Sequence, residues 1–270
     1  MGRRSKCVTK TCIAEDLGVS RQSLYYKPKQ EPKDETLKEA ILRVLSIHKS
    51  YGYRRVALDL GINKKRAQRV MHKYKIHPYK RKARWKKRLD LQRKPMPYLN
   101  LIKGWFPIRS SLIYVADFTY LPYQGKFIYL ATFMDLYTRE IVGWDISNRH
   151  DKDLVLNALL NSLYNNGFRL PGIIHSDQGV EYCSKDYLKF LNYLGIHISM
   201  SKKSSPWENG YQESFYSNFK TDLGLEFDRF NSLGEFIEGI HQTINYYNNQ
   251  RIHTSLKMAP SMFAKLHKSV

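Results

Sequence analysis

The sequence predicts an α/β protein: a mixed five-stranded sheet with flanking helices, preceded by a small all-α helix-turn-helix region. Three observations predict it. Beyond residue 111, β-branched and aromatic residues gather into short runs bounded by turn signals. Stretches with helical spacing of apolar residues then alternate with two further short runs. Charge changes where the pattern does: residues 1–110 carry 30 Lys+Arg against 8 Asp+Glu, residues 111–270 carry 15 against 16. The expected division is therefore 1–78 helical, 79–110 a basic linker, and 111–270 the α/β core.

In the first zone, "CIAEDLGVSRQSLYY" (12–26) breaks a short helix at Gly18, and Ser20 can cap the next one. "YGYRRVALDLGINKKRAQRVMHKY" (51–74) turns at Gly61, with Asn63 as a cap. Its second helix would expose Lys64, Lys65, Arg66 and Arg69 while Ala67, Val70 and Met71 face inward. A basic second helix after a glycine turn suits the major groove of double-stranded DNA. The linker's densest part, "YKRKARWKKRLDLQRK" (79–94), has nine basic residues and one acid, Arg81, Arg84, Lys86 and Lys87 among them. A charge run alone is ordinarily a solvated segment. With the whole excess in one part of the chain, and Tyr79 and Trp85 interleaved, a polyanion is the better partner. A membrane surface competes, but no amphipathic anchor helix accompanies the run.

In the third zone, residues 111–123, 126–138 and 139–147 read as a three-stranded meander joined by the Gln124-Gly125 and Tyr137-Thr138 turns. Residues 151–166 are helical, 172–175 a short strand, 184–195 a helix, and 196–201 a fifth strand. Helices over 205–223 and 232–249 follow. The order β-β-β-α-β-α-β-α places helices on both faces of the sheet and gathers functional groups at strand ends.

Hydrophobic residues make up 42% of the chain, enough for a packed core. No apolar run reaches the roughly 18 residues of a membrane span. The opening MGRRSKCVTK lacks the apolar stretch of a secretory leader. Three cysteines, Cys7, Cys12 and Cys183, suit a reducing cytoplasm better than a disulfide framework and do not form a zinc-finger spacing.

Three acids in the third zone stand out. Asp117 lies inside an apolar strand, Asp177 just beyond the end of another in "GIIHSDQGVEYCS", and Glu213 on the helix after the fifth strand. Each alone has an ordinary explanation: a buried ion pair, a turn cap, a surface acid. On the last helix Tyr211, Phe215 and Phe219 form one stripe, and Asn209, Glu213, Ser217 and Lys220 recur opposite.

Together the acids match a pattern. Asp177 and Glu213 are separated by 35 residues, and Asp117 precedes Asp177 by 60 positions. The words "VADFTYL", "IIHSDQGVEY", "MSKKSSPWENGYQESFYSNFKTDL" and the closing "YYNNQRIHTSLKMAPSMF" occur in order, after an upstream "YGYRRV". Over about residues 12–263 the chain resembles bacterial insertion-sequence transposases of the orfB type, which share the Asp-Asp-35-Glu signature of retroviral integrases. The chain departs at Glu208-Asn209-Gly210, where the group usually has Asp-Asn-Ala, and at Lys257, where Gly is common.

The resemblance implies a ribonuclease-H-like core acting on double-stranded DNA, at element ends and at target sites. It implies catalysis by Asp117, Asp177 and Glu213 as ligands of two divalent ions, Mg²⁺ or Mn²⁺, about 3.5–4 Å apart. Asp117 would bridge the ions, with Asp177 and Glu213 each completing one side. Water first frees a 3′-hydroxyl, which then attacks a second phosphodiester, with no covalent protein–DNA intermediate. Lys202 and Lys203 resemble the loop beside such sites, and Lys220 is either a phosphate contact or a surface lysine. His175 and Gly179 are expected to shape the strand end rather than react. At least a dimer, and a cytoplasmic, nucleoid-associated location in bacteria, are also implied. A nuclease on the same fold and a non-catalytic DNA-binding regulator are the alternatives.

Overall fold

The computed structural model describes residues 9–25, 30–79, 98–202, 209–224 and 226–267. They build a five-stranded sheet in the order β3-β2-β1-β4-β5. β1 (Ile113–Tyr123), β2 (Lys126–Asp135) and β3 (Ile141–Ser147) are an antiparallel meander. β4 (Ile173–Ser176) and β5 (His197–Met200) run parallel to β1. Tyr123 pairs with Lys126 across a two-residue turn in which Gln124 and Gly125 have φ of 45° and 74°. Both positive values match the turn that preserves strand twist, which favours glycine at its second position.

β1 is covered on both faces, and this accounts for its nearly unbroken apolar sequence. Ile113, Val115, Leu121 and Tyr123 pack with Phe215 and Phe219 of α7 (Gly210–Leu223) and Phe236, Ile240 and Ile244 of α8 (Leu233–Asn249). Tyr114 and Ala116 face the other layer, where α5 (Lys152–Asn165) and α6 (Lys185–Tyr193) supply Leu154, Leu159, Tyr187 and Leu191. Fully burying each such side chain contributes about 1.5–3 kcal/mol. Side chains start these helices: Asp151 accepts from Leu154 N–H, Ser184 from Tyr187 N–H, and Ser232 from Glu235 N–H. The predicted elements of this zone recur within a few residues. The last helix of the chain, α9 (Pro260–Leu266), was not expected from the sequence; it opens on a proline, whose missing N–H costs nothing at a helix start.

Ahead of the sheet, α2 (Gln30–Ile47), α3 (Tyr53–Asp59) and α4 (Lys64–Lys73) close over Leu37, Ile41, Val44, Tyr51, Val56, Val70 and Met71. α3 and α4 form the helix-turn-helix expected over 51–74, and Asn63 caps α4 by accepting from Lys65 N–H at 2.8 Å. The stretch 12–26 differs from expectation. α1 (Lys10–Asp16) is followed by a 3₁₀ turn over Arg21–Tyr25, so the described part of the second element is one tight turn rather than an α-helix. The end of the expected linker is also built into the core. Leu99 O accepts from Met200 N–H, Leu101 N–H donates to Ser199 Oγ, and Ile102 is buried in the main cluster.

The helical unit rests on the core through a polar seam. His48 Nδ1 lies 2.7 Å from Tyr246 OH, and Ser50 Oγ donates to Asp222 Oδ1 at 2.6 Å. Arg55 Nε donates to Ile252 O, and Ile252 N–H donates to Tyr51 OH. Among the described residues no helix is long and apolar enough to cross a membrane.

Candidate active site

The pairing of β1 with β4 places two of the three acids side by side. Ile113, Tyr114 and Val115 stand opposite Ile173, Ile174 and His175. Asp117 and Asp177 each follow two residues beyond the last pair, Asp117 midway along β1 and Asp177 just past the end of β4. β4 stops at Ser176, so Asp177 leaves the sheet there, and its Oδ1 accepts from Gly179 N–H at 2.8 Å. A β carbon on Gly179 would lie 2.8 Å from Glu181 Oε2 and 3.0 Å from Asp177 Oδ1, so only glycine fits this turn without displacing a carboxylate. Glu181, itself buried, pairs with His150 at 3.1 Å. The His150 ring packs on Phe118, next to Asp117, and on Tyr129 of β2. His175 is fully buried with Nδ1 2.8 Å from Ser199 Oγ.

α7 brings the third acid, and two of its side chains together with that of its N-cap residue, Asn209, fix its position. Gln212 Nε2 donates to Val115 O at 2.6 Å, Asn209 Nδ2 to Ala116 O at 3.1 Å, and Tyr216 OH to Asp117 O at 2.7 Å. Three consecutive carbonyls of β1 are thus held by one helix. Thr132, opposite Asp117 on β2, donates to Gln212 Oε1 and lies 2.8 Å from Tyr216 OH. Glu213 sits between Gln212 and Tyr216 in sequence and is exposed. One turn pair further along, Lys220 Nζ donates to Tyr120 O at 3.0 Å. The holding residues Gln212 and Tyr216 were missed from the sequence. Their signal was polar atoms spaced i, i+3, i+7 from Asn209, between the two stripes that were recognised. Tyr211, expected beside Phe215 and Phe219, is instead partly exposed beneath the Arg139 guanidinium.

Burial pushes the Asp117 carboxyl up to about 7, and the neighbouring Asp177 carboxylate adds to the rise. The Phe118 N–H that Asp117 accepts opposes it, Glu213 raises it further, and Lys220 opposes it. All three acids and Lys220 therefore share one field. Burial likewise holds the Tyr216 hydroxyl well above its ordinary range, so it remains a donor. The donor set fits a hard divalent cation: acceptor-only carboxylate oxygens, one of them in a crowded and partly desolvated position where a cation would relieve repulsion. Among the described residues no three acid, His or Cys side chains are drawn together as a metal-holding group.

The basic residues expected on α4 belong to the helical unit, not to the sheet that carries the acids. Lys64, Lys65 and Arg66 are exposed on α4. Arg69 is committed elsewhere, forking onto the buried Asp34 of α2 at 2.7 and 2.5 Å, with Lys73 joining at 3.2 Å. The Arg69 guanidinium, burial notwithstanding, holds Asp34 down to about 2. Lys202 is exposed just past β5. Lys203, Glu208, Arg81, Arg84, Lys86 and Lys87 lie outside the described residues.

A mixed β3-β2-β1-β4-β5 sheet with one acid midway along β1, one just past β4 and one on the helix packed against β1 defines a ribonuclease-H-like protein of the integrase class. The Integrase core domain family matches residues 109–206, and a second Integrase core domain family matches residues 194–260. The transposase for insertion sequence element IS904 of Lactococcus lactis subsp. lactis is 33% identical over 247 residues, covering 88% of this chain and 96% of that protein. The insertion element IS600 31 kDa protein of Shigella sonnei is 30% identical over 265 residues, covering 93% and 97%. A chain of the simian T-cell lymphotropic virus intasome, solved in complex with PP2A regulatory subunit B56 gamma, shares the fold with a TM-score of 0.54. It is 17% identical, over 85% of this chain and 75% of that one. The chain belongs to the insertion-sequence transposases with an integrase core domain, and is an enzyme of the polynucleotidyl-transferase class.

Proposed function

We propose that this chain binds the ends of an insertion sequence, cleaves the 3′ strands there and transfers them to target DNA at Asp117, Asp177 and Glu213. The observation that carries the reading is the pairing of β1 with β4, which sets Asp117 beside Asp177, while α7, pinned to three β1 carbonyls, carries Glu213 across them. The three carboxylates would hold divalent cations, two ions of Mg²⁺ or Mn²⁺. When bound, these supply relief of charge on the attacking and leaving oxygens of the phosphodiester.

The chain's own groups do the rest. Thr132, Gln212 and Tyr216 keep the α7 backbone at a fixed distance from Asp117, which holds Glu213 within the field of the Asp117 carboxyl. Lys220, anchored on Tyr120 O, offers a cation to the phosphate next to the cut. His175 is sealed against Ser199 and does not reach substrate. Residues 1–78 engage double-stranded DNA through Lys64, Lys65 and Arg66, with the basic linker 79–110 adding sequence-tolerant affinity through Arg81, Arg84, Lys86 and Lys87. Residues 111–270 carry the catalysis, and Lys202 and Lys203 add contacts to DNA. The working form contains at least two copies, by analogy with transposases of this kind.

Asp177→Asn is expected to abolish Mg²⁺-dependent cleavage and joining of element-end DNA while leaving duplex binding nearly unchanged. Strand joining by this variant would overturn the assignment. In the same assay the wild-type chain separates the other readings: cutting without joining marks a nuclease, binding without either marks a regulator.

A further inference from the structure

On the side of α7 turned away from Glu213, a recess of about 190 Å³ opens where three distant parts of the chain meet. Arg55 comes from α3, Arg139 from the turn between β2 and β3, and Arg251 from the segment after α8. Ser214 and Asn218 of α7 line it too, roughly 100° and 140° around the helix from Glu213. His253 completes the polar lining. The recess is therefore separate from the three acids, although one helix serves both.

Its charge is poorly balanced. Among the described residues Arg251 is the one arginine of the three with a carboxylate at ion-pair distance, Asp222 at 3.3 Å. Arg251 also donates to Asn218 Oδ1 and Ser50 Oγ, and so is held in place from three directions. Arg55 donates through Nε to Ile252 O and lies over the same Tyr51 ring as Arg251. Arg139 has a left-handed backbone, φ 63°, which an L-residue with a side chain adopts only when its surroundings impose it. That backbone sets its guanidinium 4.0 Å from the Tyr211 ring centroid. Nη1 of Arg139 and Nδ1 of His253 are both buried without a hydrogen-bond partner.

Buried nitrogens left without partners are costly, and so are like charges gathered with little acid between them. Both costs are removed together by a compact multivalent anion. Burial, then Arg139, Arg55 and Arg251, hold the His253 imidazole down to about 4, so it is neutral at physiological pH and adds hydrogen-bonding capacity rather than further repulsion. The volume is below the roughly 300–1,000 Å³ of sites for organic ligands, which selects a small group. Guanidinium forks match the tetrahedral oxygens of phosphate better than they match chloride.

We propose that this recess is a phosphate-binding site, gripping either a backbone phosphate of nucleic acid or free phosphate between Arg55, Arg139 and Arg251. Occupied, it ties the first helix of the helix-turn-helix, the β2–β3 turn and the back of the catalytic helix to one anion. The site goes beyond the strand-transfer reading and stands whether or not that reading holds, because its test involves no cleavage.

The full chain is melted in sodium phosphate and in sodium chloride at matched ionic strength. Phosphate is expected to raise Tm saturably above chloride, through binding to the folded state alone. In Arg139→Gln the phosphate concentration at half-effect should rise at least about tenfold, as for loss of a charge-assisted contact. Ser214→Asp, at an exposed helix position that tolerates the change, should do the same by placing a carboxylate in the recess. No phosphate-specific shift, or an equal shift in both variants, overturns the proposal. The source follows from a labelled duplex titrated under the same salts. If phosphate weakens duplex binding more than chloride does, and the excess disappears in Arg139→Gln, the recess grips the nucleic-acid backbone. If duplex binding is indifferent while the Tm shift persists, its ligand is free phosphate.

Discussion

Asp117 titrates near 7 in the folded chain and near 3.8 when unfolded, because burial and then Asp177 disfavour its charge. A carboxyl raised on folding supports the folded state most fully below about 4 and loses that contribution as pH rises through about 7. In chelator, the Tm of the wild-type chain should therefore fall more steeply between pH 5 and pH 8 than that of Asp117→Asn. Mg²⁺ or Mn²⁺ should raise the wild-type Tm more at pH 8 than at pH 5, because protons compete with the cation. Parallel pH profiles for wild type and variant would show that Asp117 is not crowded as described. At this scale the sequence is informative about the acids, whose spacing and surrounding words are local text. It is silent about Glu181 with His150 and about Gln212 with Val115, since those contacts join residues 31 and 97 positions apart.

The polar contacts between α7 and β1 decide how well Glu213 is aimed. Gln212 is fully buried, bonded to Val115 O and to Thr132. Gln212→Leu leaves a buried carbonyl and hydroxyl short of partners and should cost about 1–3 kcal/mol in urea unfolding. It should also lower strand cleavage more than that stability loss explains, with duplex binding retained. Full activity in a folded Gln212→Leu chain would show that α7 needs no such anchoring. Elements were legible where burial is periodic, as in β1, whose two faces pack on different layers. They were less so near residues 21–25, where local propensity favours a helix and the chain takes a single 3₁₀ turn. The linker's end escaped notice because Leu99 and Leu101 join the sheet through backbone bonds that any residue could make.

Across the whole molecule the basic excess and the acids occupy different regions, and a seam joins them. Asp222 lies in that seam, taking Ser50 Oγ and facing Arg251. Burial outweighs the Arg251 guanidinium and leaves the Asp222 carboxyl above the usual range, so the pair holds position rather than adding much stability. Asp222→Ala, which strands the Arg251 charge, should destabilise the chain by about 3–5 kcal/mol in denaturant unfolding. Limited proteolysis should then cut between the helical unit and the core first. Unchanged stability and cleavage pattern would mean that the seam is incidental. The sequence reveals the charge division, which is composition, but not the seam, whose partners are some two hundred positions apart.

That distance has a consequence for how the protein is made. Ile252 packs against the cluster of α2, α3 and α4, and its N–H is held by Tyr51. A ribosome delivers those helices early and Ile252 only after the whole sheet. The part synthesised earlier reaches its final packing last, so the helical unit settles into its seat only on chains whose sheet has already been completed.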